Sequence, residues 1–320
     1  MTNVDTSKEQ FSIIIIPDTQ NLSKYHPDTL MQMAQWITDH AETLHLKMVF
    51  HVGDVVNDGA NAEEQFQSAK KALDLIDHAN IPMLIAPGNH DYDNMVSKDR
   101  SLTMFNHYFG MTRYHNKPWF CGTYEDNQTE NSYARLEICG RRFLFITLEF
   151  GPRDEVLAWV DNLLQTHDDH EAIIVTHCYM YMDGERNKPG VQHNPKIYQG
   201  ATGANDGEDM WQKSFRKHRN IIGVFSGHQI PDNVSYRMDL GDEQNLVFQS
   251  FQNWQSAENG GEGRIRVMNF QFSDDMVNLR VYNPSSGVYE TKDGYEVNYP
   301  LKAGRTQLSK WVTFKHPVEN

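Results

Sequence analysis

An alternation of short apolar runs with amphipathic segments constrains the fold of this chain more than any other feature. Apolar runs occupy residues 11–16, 48–52 and 82–86, a length typical of buried strands. Between them, residues 30–44 and 66–76 carry apolar side chains at the spacing of one helix face. Strands that alternate with helices predict a largely parallel sheet in an α/β protein.

The rest of the chain predicts more strands and further helical segments. Strands are predicted at residues 132–138, 143–148, 172–176 and 221–226. Residues 156–164 have helical spacing, and the less regular residues 93–130 predict a helix with long loops. From about residue 234 onward, strand-like runs separated by turn residues predict a second, antiparallel sheet packed against the first. No linker or internal repeat divides the chain, so we expect residues 1–320 to form a single domain.

The charge balance limits the kinds of partner. The chain has 43 Asp and Glu against 29 Lys and Arg, a formal net charge of −14. Polymeric nucleic acids are bound by basic surfaces, so no extended nucleic-acid surface is expected. A small anionic substrate is compatible with this charge, because bound metal ions reverse the charge of a pocket. Since no apolar stretch approaches the roughly 20 residues of a membrane helix, we also expect no membrane span.

The cysteines and the N-terminus indicate the compartment. Cys121, Cys139 and Cys178 show no CxxC spacing and are too few for a disulfide framework. The first residues lack the basic and hydrophobic regions of a signal peptide. We therefore expect a cytoplasmic protein, or a secreted one whose signal peptide has been removed. The sequence specifies no oligomeric state.

Polar side chains follow five of the predicted strands at the point where each strand ends. These side chains belong to Asp18, Asp54, Asn89, His177 and His228. Ligands bind at the carboxyl ends of strands in open α/β sheets, so these residues are expected to converge. Taken singly, a Gly-Asp pair is usually a turn and a lone His is usually a satisfied polar residue. Carboxylates, an amide oxygen and imidazoles together predict a divalent metal site rather than a thiolate site.

The motifs around these five residues resemble those of the calcineurin-like metallophosphoesterases. That superfamily carries the pattern D-x-H, G-D-x-x-D/N, G-N-H-D/E, a lone His and G-H-x-H. The corresponding residues here are Asp18-Thr19-Gln20, Gly53-Asp54-Val55-Val56-Asn57, Gly88-Asn89-His90-Asp91, His177 and Gly227-His228-Gln229-Ile230. The first motif is similar to a branch with P-D-T-Q, which matches Pro17 to Gln20. The resemblance implies a two-sheet α/β sandwich and a phosphoric ester hydrolase with a dinuclear metal site.

The resemblance also implies a ligand set. Asp54 would bridge two divalent ions, one completed by Asn89, His177 and His228, and the other bound by Asp18. Gln20 and Ile230 stand where the family has two further His ligands, and both losses fall on the same ion. The expected cofactors are two ions drawn from Mn²⁺, Mg²⁺, Ca²⁺, Fe and Zn²⁺. The altered position, with Gln20 as an amide ligand, is expected to be weaker and to favour Mn²⁺, Mg²⁺ or Ca²⁺ over Zn²⁺.

The same resemblance implies a mechanism and a substrate class. Two metals about 3.5–4 Å apart ionise a bound water, which attacks the phosphorus of a phosphate ester. His90 would protonate the leaving oxygen and Asp91 would orient the His90 ring. The alternative for His90 is a loop cap. The substrate is expected to be a phosphate ester, with a phosphodiester slightly preferred.

Three further residues are candidates for substrate contact, and each has an alternative. Arg186 and Lys188 lie in a long polar loop after His177, where they would meet phosphate oxygens or remain solvated. Asn57 would support the site or form a solvated turn. Two other functions stay open: a phosphomonoesterase acting on proteins or small molecules, and a non-catalytic scaffold that keeps the fold. The changes at Gln20 and Ile230 favour the scaffold, whereas the intact ligands oppose it.

Overall fold

Two mixed sheets of seven strands each form the centre of the protein. The structure, a computed structural model, describes residues 9–94, 99–230 and 233–302. In chain order the strands are β1 (Gln10–Ile16), β2 (Leu46–His51), β3 (Met83–Ile85), β4 (Phe120–Thr123), β5 (Ser132–Ile138), β6 (Arg141–Leu148), β7 (Glu171–Thr176), β8 (Ile221–Ser226), β9 (Asn233–Leu240), β10 (Leu246–Asn253), β11 (Ile265–Gln271), β12 (Met276–Asn283), β13 (Val288–Tyr289) and β14 (Glu296–Pro300). The α-helices are α1 (Gln20–Tyr25), α2 (Pro27–His40), α3 (Glu63–His78), α4 (Thr103–Phe109), α5 (Asp154–Thr166) and α6 (Gly207–Lys213).

Each sheet combines a parallel part with antiparallel strands. The first sheet has the order β13-β12-β11-β1-β2-β3, with β14 on β12, and β1, β2 and β3 are parallel. The second has the order β4-β5-β6-β7-β8-β10-β9, in which β6, β7, β8 and β10 are parallel. Parallel strands direct their carboxyl ends to one edge of each sheet.

The predicted division of strands between the sheets is wrong. The C-terminal strands were expected to form their own antiparallel sheet. Instead β11 pairs with β1 and extends the first sheet, whereas β10 pairs with β8 and extends the second. Alternating apolar residues indicate which faces of a strand are buried, but they do not specify its hydrogen-bonding neighbour.

The burial of β1 explains its continuous apolar sequence. Phe11, Ile13 and Ile15 pack in the core between the two sheets, whereas Ile14 and Ile16 pack with residues of α2 and α3. A strand covered on both faces has no polar face, unlike a half-buried strand. Helix α5 covers the outer face of the second sheet in the same way. The result is the predicted α/β sandwich, with helices on both sides of two packed sheets.

The helices agree with their predicted spacing but differ at the ends. Helix α2 ends at His40, so Leu44, assigned to its apolar face, lies beyond the helix. The irregular region 93–130 contains α4, which is the expected helix, and β4, a strand that was not predicted. In the part of the chain that the structure describes, no helix combines the length and apolar character that a membrane crossing needs. The single domain over residues 1–320 stays a prediction.

Candidate metal centre

The five predicted ligands meet where the carboxyl ends of strands from both sheets face each other. Asp18, Asp54 and Asn89 follow β1, β2 and β3 of the first sheet, and His177 and His228 follow β7 and β8 of the second. All five side chains are buried. The site therefore depends on the packing of one sheet against the other, because neither sheet carries the complete set.

Four of these side chains form one compact cluster. Nε2 of His177 lies 3.2 Å from Oδ1 of Asp54 and 3.2 Å from Oδ1 of Asn89. Nδ1 of His228 lies 3.1 Å from Nε2 of His177. Asp54, His177 and His228 each offer one ligand atom within 4.8 Å of the others. Carboxylate, amide and imidazole donors at this spacing suit a borderline divalent ion.

Two backbone carbonyl groups fix the orientation of the imidazoles. Nδ1 of His177 donates to the carbonyl oxygen of Val52 at 3.0 Å, and Nε2 of His228 donates to that of His193 at 2.8 Å. A carbonyl oxygen only accepts, so each proton lies on the nitrogen that faces away from the cluster. The other nitrogen of each neutral ring then turns its lone pair into the cluster, where Nε2 of His177 faces the oxygens of Asp54 and Asn89 and Nδ1 of His228 faces Nε2 of His177. Acceptors that converge in this way repel one another unless a cation lies among them, and this donor set therefore fits a metal ion.

The burial and mutual proximity of these side chains shift their pKa values. Burial acts to lower the pKa of His177, but the carboxylates of Asp54 and Asp18 outweigh it and raise the pKa to about 9. Burial, together with the neighbouring His177, lowers the pKa of His228 to about 3. Burial acts to raise the pKa of the Asp54 carboxyl, yet His177 outweighs this and holds the pKa below its usual range. Without a metal, a proton on His177 supplies the positive charge that the cluster requires.

Metal binding is expected to displace this proton. Because the pKa of His177 is about 9, binding of the ion at His177 at pH 7 should release about one proton, and the affinity of this position should rise about tenfold per pH unit until pH 9. Calorimetric titration with Mn²⁺ in buffers of different ionisation enthalpy measures the proton count. As a control, His218→Gln removes a histidine that pairs with Asp161 and lies outside the cluster, and it should leave the count unchanged. A binding enthalpy independent of the buffer would contradict this role of His177.

A second position lies beside the cluster at Asp18. The Asp18 carboxylate accepts the backbone N–H of His228 at 3.0 Å and the Nδ2 of Asn253 at 3.0 Å. Burial, together with the charge of Asp54, raises the pKa of Asp18 well above its usual value. The next predicted ligand, Gln20, is buried, and its Oε1 has no hydrogen-bond partner among the residues that the structure describes. Two carboxylates whose charges interact, and an amide oxygen that lacks a described donor, fit an oxygen-preferring cation.

The glycine before each ligand motif has a steric cause. A Cβ at Gly88 would lie 2.2 Å from Oδ1 of Asp54, and a Cβ at Gly227 would lie 2.0 Å from Oδ1 of Asp18. The backbone of the ligand residues is also unusual, because φ is 52° at Asp54 and 78° at His228. Left-handed backbone at non-glycine residues costs about 1–3 kcal/mol each and clusters at functional sites.

His90 and Asp91 do not contact each other in the way that was predicted, with Asp91 orienting the His90 ring. The ring of His90 donates from Nδ1 to the carbonyl oxygen of Asn57 at 2.9 Å, so Asn57 orients it. Asp91 does not do so, because its carboxylate accepts the backbone N–H groups of Gly88, Val55 and Val56 at 2.8–3.2 Å. Asp91 therefore connects the loops after β2 and β3, and the prediction that it orients His90 is wrong.

Arg186 is likewise held away from the role predicted for it. Its guanidinium pairs with Glu208 at 2.7 Å and Asp239 at 2.6 Å, and it donates to Gln249 at 3.0 Å. A guanidinium neutralised by two carboxylates is a poor phosphate ligand, so these ion pairs argue against the predicted contact of Arg186 with substrate. Lys188 is exposed, and phosphate contact there stays a prediction.

Sequence reasoning missed residues that support the ligands. Asn253, at the end of β10, reaches Asp18, although its strand was assigned to a separate sheet. His51 accepts the backbone N–H of Gly53 at 3.1 Å and bonds to the Thr19 hydroxyl at 2.9 Å, which links the loops after β1 and β2. The polar end of the run at residues 246–253 is the signal that would have identified Asn253.

A curated protein and several solved structures are similar to this chain. The chain is 27% identical to the uncharacterised protein YvnB of Bacillus subtilis (strain 168) over 312 residues, which is 93% of this chain but 22% of that protein. The chain therefore spans about one fifth of the length of this curated relative.

Solved structures share the fold at low sequence identity. A purple acid phosphatase from yellow lupin (Lupinus luteus) aligns with a TM-score of 0.55 and 13% identity over 91% of this chain and 54% of that one. A dimetal phosphatase from Danio rerio aligns with a TM-score of 0.53 and 10% identity over 91% and 99%. The family model described as calcineurin-like phosphoesterase matches residues 11–232, which include all five strand-end ligands. The chain belongs to the calcineurin-like phosphoesterase family.

Proposed function

We propose that this chain is a metal-dependent phosphoesterase that hydrolyses a phosphate ester, with a phosphodiester slightly preferred. One observation carries the proposal: with their outer nitrogens bonded to backbone carbonyls, both imidazoles turn the other nitrogen into the cluster that holds the oxygens of Asp54 and Asn89. Without a metal these groups need a proton on His177 to balance them, and a divalent ion can take the place of that proton, so the arrangement supports a metal-binding role over the scaffold alternative. Membership of the family supplies the reaction class.

In the proposed reaction, divalent ions held by Asp18, Asp54, Asn89, His177 and His228 would activate water and neutralise phosphate oxygens. His90 acts on the leaving oxygen. Because its Nδ1 donates to the carbonyl oxygen of Asn57, the Nε2 end of the ring is the one available to pass a proton to the departing alcohol. His90 is half-buried and lies next to the cluster, because its backbone N–H donates to Oδ1 of Asp54 at 2.9 Å.

Two features favour a diester over a monoester. A monoester dianion requires more positive charge than a diester monoanion, and Arg186, the arginine predicted to contact phosphate, is already neutralised by Glu208 and Asp239. The cluster is also bordered by aromatic rings, with Phe150 5.1 Å and Tyr198 6.1 Å from the His228 ring. Such a wall suits contact with a second ester group, which a diester has and a monoester lacks.

The proposal predicts turnover that depends on added metal. Protein treated with EDTA should lose at least about 10³-fold of its hydrolysis rate, because the ions supply several kcal/mol of transition-state stabilisation. Refilling with Mn²⁺, Mg²⁺, Ca²⁺ or Zn²⁺ should restore it, and kcat/KM for bis(p-nitrophenyl) phosphate should exceed that for p-nitrophenyl phosphate. A higher value for the monoester would indicate the phosphomonoesterase. Absence of turnover with every ion and both esters would favour the scaffold.

A further inference from the structure

A segment outside the family motifs reaches the second metal position. The residues after β10 fold back against α1, and Gln255 contacts Gln20 through their side-chain amides, with Nε2 of Gln20 donating to Oε1 of Gln255. β10 lies parallel to β8, so its carboxyl end arrives at the same edge as His228. Topology therefore brings Asn253 and Gln255 to a site whose known motifs end before residue 232.

Gln255 is itself held firmly by its backbone. Its N–H donates to Oδ1 of Asn253 at 2.9 Å, and its carbonyl oxygen accepts Nδ2 of Asn21 at 2.7 Å. Asn253 in turn donates to the Asp18 carboxylate at 3.0 Å and to the carbonyl oxygen of Gln229 at 3.2 Å. One short segment thus contacts both residues of the second position, Asp18 and Gln20.

The contact decides which end of the Gln20 amide is available. Because Gln255 accepts a hydrogen bond from the Gln20 NH₂ group, the oxygen of Gln20 is the free end, and within the described part of the chain that buried oxygen has no donor. A buried acceptor without a partner costs about 1–3 kcal/mol, so it requires a compensating ligand. Gln20 follows Asp18 by two residues, so a cation held by the Asp18 carboxylate would supply that partner.

We propose that Gln255 is a positioning residue that orients the Gln20 amide, so that the second metal position presents only oxygen ligands and selects Mn²⁺, Mg²⁺ or Ca²⁺ over Zn²⁺. This inference rests on the proposed function and adds to it a residue outside the family motifs. Asn253 has the matching task at Asp18. Of the two positions where the family has histidines, one carries the Gln20 amide and the other carries Ile230.

Three variants test the inference through metal binding rather than turnover. Gln255→Met has a similar size and no acceptor, and it should weaken the second Mn²⁺ by about 10–100-fold, the usual cost of losing an outer-sphere partner. Gln255→Glu can only accept, so it enforces the same Gln20 orientation and should bind the second Mn²⁺ at least as tightly as the wild type. Gln20→His should strengthen binding of a second Zn²⁺ by more than about tenfold.

Apo protein is titrated with Mn²⁺ or Zn²⁺ by calorimetry, and electron paramagnetic resonance distinguishes an isolated Mn²⁺ from a coupled pair. Thermal unfolding in EDTA checks that each variant folds. Two Mn²⁺ ions in the wild type, the second lost in Gln255→Met and kept in Gln255→Glu, support the inference. Three outcomes would each overturn the inference and leave the proposed function standing. They are equal Mn²⁺ affinity in Gln255→Met and the wild type, equal loss of Mn²⁺ affinity in Gln255→Met and Gln255→Glu, and unchanged Zn²⁺ affinity in Gln20→His. Wild-type protein that binds no Mn²⁺ would overturn the proposed function as well.

Discussion

Asp54→Asn is expected to abolish metal-dependent hydrolysis while the chain still folds. Asp54 is the carboxylate shared by both proposed metal positions, and it lies 3.2 Å from Nε2 of His177. Asparagine has the same shape and tolerates the φ of 52° at this position, so the backbone is preserved. Removing the charge should lower kcat/KM by at least about 10³-fold, because several kcal/mol of metal-mediated stabilisation is lost.

The stability of the metal-free protein should change in a defined direction. The pKa of Asp54 is held below its usual value in the folded protein. The Asp54 carboxylate therefore stabilises the fold at pH values above its unfolded pKa, and this stabilisation is lost as the pH falls through its folded pKa. Asp54→Asn should therefore unfold somewhat more easily at pH 7 in EDTA. Asp242→Asn, which alters an exposed pair with Arg216, is the matched control and should retain metal and turnover. Full turnover in Asp54→Asn would contradict the proposed site.

His90→Ala is expected to lower turnover without loss of metal. The His90 ring is oriented by Asn57 and lies beside the cluster through its backbone contact with Asp54, but it is absent from the compact ligand set. Loss of a general acid costs about 10²–10⁴-fold in rate. The effect should depend on the ester, because a good leaving group such as p-nitrophenolate needs little proton transfer, whereas an alkoxide needs much.

The measurement compares kcat for aryl and alkyl phosphodiesters in wild type and variant, together with bound metal. A steeper dependence on leaving-group pKa in His90→Ala, at unchanged metal content, is the expected outcome. His107→Ala changes an exposed histidine and serves as the control. If His90→Ala lowers the rates of both esters equally, or if it loses metal, His90 supports the loop rather than the reaction.

The ligands could be predicted because their signal is local. Each of the five lies where an apolar run ends, and a glycine directly precedes Asp54, Asn89 and His228. The structure shows why: a Cβ at Gly88 or Gly227 would collide with a ligand carboxylate. A steric requirement of this kind restricts the residue type next to the ligand, so it is visible in the sequence.

The errors concern contacts between distant residues. Arg186 had the charge for a phosphate contact, but its partner Asp239 lies 53 positions away on β9. Asp91 lies next to His90 in the chain, yet its carboxylate binds the backbone of the loop after β2. Asn253 went unrecognised because its strand's neighbour, β8, was not predicted. Residue type and spacing carry no information about which remote group will neutralise a charge.

The sequence by itself determined the α/β class, most of the strands and helices, and the residues that end the parallel strands, because burial and hydrogen bonding within each element impose a period on adjacent residues. Only the tertiary structure decided which strands share a sheet, that the two sheets face each other to complete the cluster, and that Gln255 meets Gln20 across 235 positions. The physical reason is that pairing and packing between remote segments depend on the complementarity of whole surfaces, which no local pattern encodes.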